Sequence, residues 1–400
     1  MPTGMMNTSQ LNAQIVQKSF AAMITRLMPN GSAPLFALTS MLPEETAKQP
    51  EHGFFTKTMI FPMLKLNGAI ANGAATVFTV DDTSKVIPNM VMRVQSTGEL
   101  VLIHTVDSAT QVTVVRGVGS VAAAAIASGD EMYQIGTAFE ESSTRPTARS
   151  IDPVWITNYT QIFRDSWALS DSTRATMVIA GDDTVSENKQ DCAAFHATAI
   201  ESTCIFGQKA TGTRNGKPIR YAAGIERFIA TYAPSNITTA GSTTNFTQLE
   251  TALEPIFDQT TDPKSGNQRL LFCGGTAKKV INNIGRLNGT YQLVDGQTSF
   301  GLQFSQFKTT RGTFNLIEHP LFNTNSAWSK LAIAVDLSTF NVAYLGNRKT
   351  QNKEFNTEGK AAQDNGIDAV GGTLTTELTV LVKNPAANAI IWNLTAAASG

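Results

Sequence analysis

The sequence predicts an α+β fold, one long helix set among many short strands. Three stretches carry that expectation. Residues 186–206 contain neither Pro nor Gly, and Val185, Cys192, Phe195, Ala199 and Phe206 recur at helical spacings of three, four and seven. Ala193, Ala197, Ile200 and Cys204 widen that stripe on one flank. Residues 75–136 read as short alternating strands, with Gly, Asp, Ser or Thr at each break. Residues 224–330 alternate helical and strand signals.

In chain order, residues 1–54 begin with a helical patch at 11–28, followed by Pro29, Pro34, Pro43 and Pro50. This reads as an extended arm that becomes ordered only against another surface. Its apolar residues, among them Phe20, Ile24, Leu27, Leu35, Phe36 and Met41, are too many for free disorder. In the following β unit Met90, Met92 and Val94 alternate with Val91, Arg93 and Gln95, a period of two. Roughly 60 residues suffice for a small antiparallel barrel or sandwich. The exit from that unit carries Glu140, Glu141, Arg145 and Arg149 between turn residues. Those charges either solvate the exit or pair with a neighbouring subunit. Trp155, Tyr159, Phe163 and Trp167 fall four apart, but β-branched and aromatic residues dominate, so a strand to about Arg164 is expected, then a turn or short helix. The long helix has Asp183, Thr184 and Ser186 as candidate N-caps and Gly207 for the left-handed position after its end. Its length is about 30 Å. Residues 207–225 read as a loop ending in a strand. Then come a helix at 246–257 capped within 243–245, a buried strand at 269–275 and a helix at 276–287. Strand-like segments fill the remainder, and no internal repeat is present.

Composition narrows the function. The chain has 400 residues, 42% hydrophobic and only 16% charged, with 31 basic residues against 32 acidic. A protein built to grip nucleic acid carries a basic excess, and this one does not. The three cysteines, 192, 204 and 273, have no metal-ligand spacing and read as reduced, buried thiols. The N-terminus lacks the basic start and apolar core of a signal peptide. No window approaches the roughly 18 apolar residues of a membrane helix.

A search for chemistry finds none. His52, His104, His196 and His319 share no zinc-type spacing, and His196 on the helix reads as a structural histidine. Residues 212–217 superficially suggest a phosphate loop. They lack the four-residue spacer between glycines and the Ser/Thr after Lys217, where Pro218 stands instead. The acidic pairs Asp81-Asp82 and Asp182-Asp183 sit in turns, where capping accounts for them better than calcium. No catalytic residue, cofactor or metal is expected.

The order of parts then matters: arm, β excursion, long helix, α/β region, returning strands. The run Asn158-Tyr159-Thr160-Gln161-Ile162-Phe163, the stretch 170–176, Ile200-Glu201 and Phe206-Gly207 occur in series. Gly216-Lys217-Pro218, Ala223-Gly224-Ile225, Val335-Asp336-Leu337, Gly346-Asn347-Arg348 and Gly371-Gly372-Thr373-Leu374 continue it. In the β unit, Thr97-Gly98-Glu99 and Val115-Arg116-Gly117 take part. This series resembles the major capsid proteins of tailed bacteriophages, the Hong Kong ninety-seven fold. More narrowly, it resembles the major head protein family of elongated-head podoviruses. From about residue 70 onward the likeness is one of motifs, and before residue 55 one of character alone.

The resemblance implies an N-arm at 1–54 and an extended loop at 55–150 containing the β unit. It implies a peripheral domain at 151–220 whose spine helix spans about 183–207, an axial domain at 221–330, and return strands of the peripheral domain at 331–400. It implies a non-enzymatic subunit that self-assembles into hexamers and pentamers of an icosahedral or elongated head. The shell would enclose double-stranded DNA without sequence-specific binding, in the virion, after assembly in the bacterial cytoplasm. A separate scaffolding protein, a portal and cement or decoration proteins are the implied partners, with no membrane. The absence of a long charged helical segment at the start leads to the expectation that the mature shell keeps the whole chain. Expected intersubunit contacts are Phe20, Leu27, Phe36, Glu140, Glu141, Arg145, Arg149 and Arg164. A tail-tube subunit is the alternative, though it would lack so long a helix. A hydrolase or adhesin would need a convergent polar site.

Overall fold

A computed structural model describes residues 44–57, 62–146, 148, 150–175, 184–258, 267–287, 298–299, 302–303, 305–355 and 369–398. The chain divides into two compact units, a first one made of the residues on either side and a second, inserted one, Phe55–Trp155. The first unit opens with β1 (Glu45–Ala47) and β2 (Glu51–Thr56). The inserted unit holds β3 (Met63–Lys65), β4 (Val77–Thr79), β5 (Met90–Val94), β6 (Leu100–Ser108), β7 (Gln111–Val115) and β8 (Glu131–Thr137). The chain returns through β9 (Val154–Tyr159), β10 (Gln161–Ser170), α1 (Asp171–Ala175) and the long helix α2 (Thr184–Phe206). Next come β11 (Ala210–Arg214), β12 (Lys217–Tyr221), α3 (Ile225–Tyr232), β13 (Ile237–Thr239), α4 (Phe246–Leu253), β14 (Gln268–Cys273) and α5 (Gly275–Leu287). The last part comprises β15 (Thr298–Ser299), β16 (Leu302–Gln303), β17 (Ser305–Lys308), β18 (Thr313–Glu318), β19 (Ala332–Val335), β20 (Phe340–Leu345), β21 (Gln351–Phe355), β22 (Ala369–Val382) and β23 (Ala389–Trp392). Helices and strands in this mixture make the fold α+β.

Two sheets organise the first unit. One runs β1-β20-β22-β10, with β21 also paired to β22. The other runs β13-β23-β19-β14-β18-β17. Residues 331–400 therefore serve both sheets: β20 and β22 enter the first, β19 and β23 the second. The division expected at residue 330 runs through the second sheet. β19 and β23 are apolar and buried along nearly their whole length, as central strands are, so their pattern does not reveal which sheet receives them. The strand expected to stop near Arg164 runs on to Ser170, because all ten residues of β10 pair with β22. The loop expected at 207–225 is a hairpin, β11 paired with β12. Asn215 and Gly216 at its tip have φ of 53° and 70°, the left-handed pair of a tight hairpin turn.

α2 fills the span expected of it but is turned toward one flank of the expected stripe. Cys192, His196, Ile200, Glu201, Cys204 and Ile205 are its buried residues, whereas Phe195 is 71% exposed and Ala199 faces solvent. Of the expected stripe, Val185, Cys192 and Phe206 pack on apolar clusters whereas Phe195 and Ala199 do not, so the core face lies toward the flank with Ile200 and Cys204. Counting apolar residues misplaced it because the core side carries His196 and Glu201, which find partners there. Gly207 ends the helix by close approach and not by a left-handed turn, since an added Cβ would lie 2.3 Å from the Ala222 carbonyl oxygen. α4 stops at Leu253, four residues short of expectation, where Pro255 tightens the chain into a 3₁₀ turn. Its start has the expected cap: Asn245 accepts from the Gln248 amide, and the Gln248 side chain accepts from the Asn245 amide.

The inserted unit is an antiparallel barrel with strand order β3-β8-β5-β6-β7-β4, closed by the bridge between Leu66 and Val80. Leu64, Phe78, Val80, Met90, Met92, Val94, Val101, Ile103, Val112 and Met132 fill it, each wholly buried. It begins before residue 75, since without β3 the sheet stays open. The barrel carries its own core, so residues 57–152 expressed alone are expected to fold. A cooperative thermal transition with β-type circular dichroism is the expected result, and a spectrum lacking structure would show that the barrel depends on the rest of the chain.

Candidate functional site

Among the described residues, buried polar groups of the first unit fasten the long helix and the strands around it. His196 Nδ1 lies 2.6 Å from Asp165 on β10 and its Nε2 lies 2.7 Å from Thr376 on β22. One side chain of α2 thereby ties two strands, with the Phe163 ring edge-on to the imidazole. One helical turn further on, Glu201 lies 2.7 Å from His319 Nε2, and both side chains are wholly buried. The His319 ring stacks on Phe322 at 4.6 Å. Asn158 uses its amide fully: it donates to the Ala223 and Val380 carbonyls and accepts from the Ala223 and Tyr159 amides. Glu377, also buried, accepts from Thr160 at 2.9 Å and pairs with Arg348 at 3.0 Å.

Cys192, Cys204 and Cys273 are free and buried, and burial pushes all three thiols up from their ordinary range. Such thiols are poor nucleophiles. Asp82 accepts from the Ser84 amide and hydroxyl, a local turn. No cluster of three or more His, Cys, Asp or Glu among the described residues can hold a metal ion. No described helix is long and apolar enough to cross a membrane.

In the barrel, Glu99 is wholly buried and takes Arg116 bidentately, with both contacts at 2.7 Å. Glu99 also accepts from the Gly117 and Ala124 amides. Burial alone would raise the Glu99 carboxyl, but Arg116 and the two amides together hold it below its usual range. Arg116 further donates to the carbonyls of Asn72, Ala75 and Ala124, so one ion pair clasps two loops.

What remains is surface. Glu140, Glu141 and Arg145 lie exposed in the segment after β8, and Arg164 lies exposed on β10. Phe20, Leu27, Phe36 and Arg149 fall outside the described residues, as do Asp182 and Asp183. The sequence reading missed the hairpin β11–β12, whose cations Arg214, Lys217 and Arg220 have no hydrogen bond or ion pair among the described residues. The Asn215-Gly216 pair was its signal. Lys209 anchors the base of the hairpin, donating to the Thr157 carbonyl at 3.0 Å and lying 4.7 Å from the Tyr159 ring. Phe55 and Trp155 lie against each other at 4.4 Å yet are 67% and 50% exposed.

A family model described as SU10 major capsid protein matches residues 2–395. The major capsid protein of Pseudomonas phage PaMx41 is 37% identical over 401 residues, covering 98% of this chain and 96% of that protein. Among solved structures, a chain of Mycobacterium phage Bobi aligns over 96% of this chain and 97% of its own, at 9% identity and a TM-score of 0.48. The capsid of a native GTA particle aligns over 97% and 98%, at 8% identity and a TM-score of 0.47.

Proposed function

The chain belongs to the SU10 major capsid protein family and is a structural subunit of a phage capsid, not an enzyme; from that premise we propose how it builds its shell. The single observation that carries the reading is a 37% identity extending over 98% of the chain. Copies associate as hexamers and pentamers into a closed head around double-stranded DNA. α2 is the spine of a peripheral domain, the β13–β23 sheet belongs to an axial domain, and the barrel is an insertion in an extended loop. Scaffolding protein, portal and decoration proteins are separate chains, and assembly takes place in the host cytoplasm.

Packaged DNA touches such a shell without being gripped, because phosphate affinity scales with the number of cationic contacts. The chain's 31 basic residues are offset by 32 acidic ones. Intersubunit contacts fall on the exposed charges Glu140, Glu141, Arg145 and Arg164, with Arg149 in the same exit segment. The apolar residues Phe20, Leu27 and Phe36 of the N-terminal arm pack on an adjacent subunit. The test is deletion of residues 1–43, which stops short of β1. The expected product is a folded subunit with native helical circular dichroism that fails to close shells. Normal particles from the truncated chain would contradict the role of the arm.

A further inference from the structure

Among the described residues β10 is a long strand edge left bare. It is the outer strand of the β1-β20-β22-β10 sheet and pairs over all ten residues with β22 without a bulge. In an antiparallel ladder every second residue turns its N–H and C=O away from the partner strand. No described backbone group meets those of β10 on the side away from β22. Its first two residues share a shallow cleft with β12, which leaves 163–170 open. Proteins blunt such edges by shortness, Pro, Lys, bulges or closure. In the larger sheets the other outer strands obey: β1 and β13 have three residues, β17 four and β21 five, and the barrel is closed. β10 has ten residues, no Pro and no Lys. At about 33 Å it is long enough to template another strand. Its outward face, Ile162, Arg164, Ser166, Ala168 and Ser170, is exposed throughout.

We infer that residues 35–42 of a second copy add to this edge as a further β-strand. Those residues, Leu-Phe-Ala-Leu-Thr-Ser-Met-Leu, carry no charge and are bracketed by Pro34 and Pro43, which delimit a strand of matching length. The same copy cannot supply them. Residue 42 stands three positions before Glu45, where β1 begins, a reach of at most about 11 Å. A strand outside β10 lies four strand spacings from β1, about 19 Å. The donor is therefore another subunit, and main-chain hydrogen bonds supply the affinity. This inference rests on the reading that the arm reaches a neighbour in the shell.

Disulfide trapping tests it, with Cys placed at Phe36 or Leu38 together with Ser166→Cys or Ala168→Cys. The native cysteines are buried, so background cross-linking is low. Mild oxidation of assembled shells is expected to give dimers and a ladder of higher multiples, because each copy both donates and accepts. In parallel, amide exchange in β10 is expected to slow at least tenfold in shells relative to the 1–43 deletion subunit. A Leu38→Pro chain, folded by circular dichroism, is expected to leave β10 exchange fast. Shells that give no intersubunit band with any pair, or β10 amides equally fast in shell and subunit, would overturn the docking site and leave the assembly reading standing. A full-length chain that forms no shells, alone or with a scaffolding protein co-expressed, overturns both.

Discussion

Replacing Glu201 with Ala is expected to destabilise the first unit by about 3 kcal/mol, read as a lower denaturant midpoint with an unchanged slope. Among the described residues His319 Nδ1 is buried without a hydrogen-bond partner, which assigns the ring proton to Nε2, the nitrogen facing Glu201. Removing the carboxylate strands that donor in a site walled by Phe272 and Phe322. It also opens a gap where α2 meets the end of β18. Glu201→Gln keeps an acceptor at the same distance and is expected to cost less than half as much. Equal losses for the two variants would mean that charge, not hydrogen bonding, holds the helix.

In the barrel, Arg116→Met is expected to cost about 3–5 kcal/mol, because it leaves the Glu99 carboxylate buried and uncompensated. The pH dependence carries the sign. Glu99 is held below its usual range, so its stabilisation is present above the ordinary glutamate pKa of about 4.3. It is lost as pH falls through the lower folded value. The wild-type barrel should therefore weaken on acidification. In Arg116→Met the carboxyl is buried without its cation and prefers to be protonated, so the same acidification should strengthen the fold. Melting temperature followed from pH 6 to pH 3 reads both slopes, and parallel slopes would contradict the role assigned to the pair.

The long helix was legible because a run without Pro or Gly ends at Gly207, and local signals of that kind need no knowledge of the fold. Its orientation was not. His196 and Glu201 look like surface residues until Asp165, Thr376 and His319, distant in sequence, are brought to them. The barrel was legible in its alternating strands, but not in the short β3, which leads into the Leu66–Val80 bridge that closes it. The bare edge of β10 could not be read at all. Its partner β22 lies some two hundred residues later, and an edge exists only once the sheet order is known. The proposed contact residues stand similarly. Charge and turn chemistry flagged the exposed Glu140, Glu141 and Arg145, whereas the free cations of the β11–β12 hairpin emerge only when the hairpin is seen unpartnered.

Imaging the purified full-length chain by negative stain, with sedimentation of the same sample, tests the central claim most directly. Closed, hollow shells of uniform wall sedimenting far ahead of a single subunit are expected, alone or once a scaffolding protein is co-expressed. Tubes, or a stable monomer under both conditions, would contradict it.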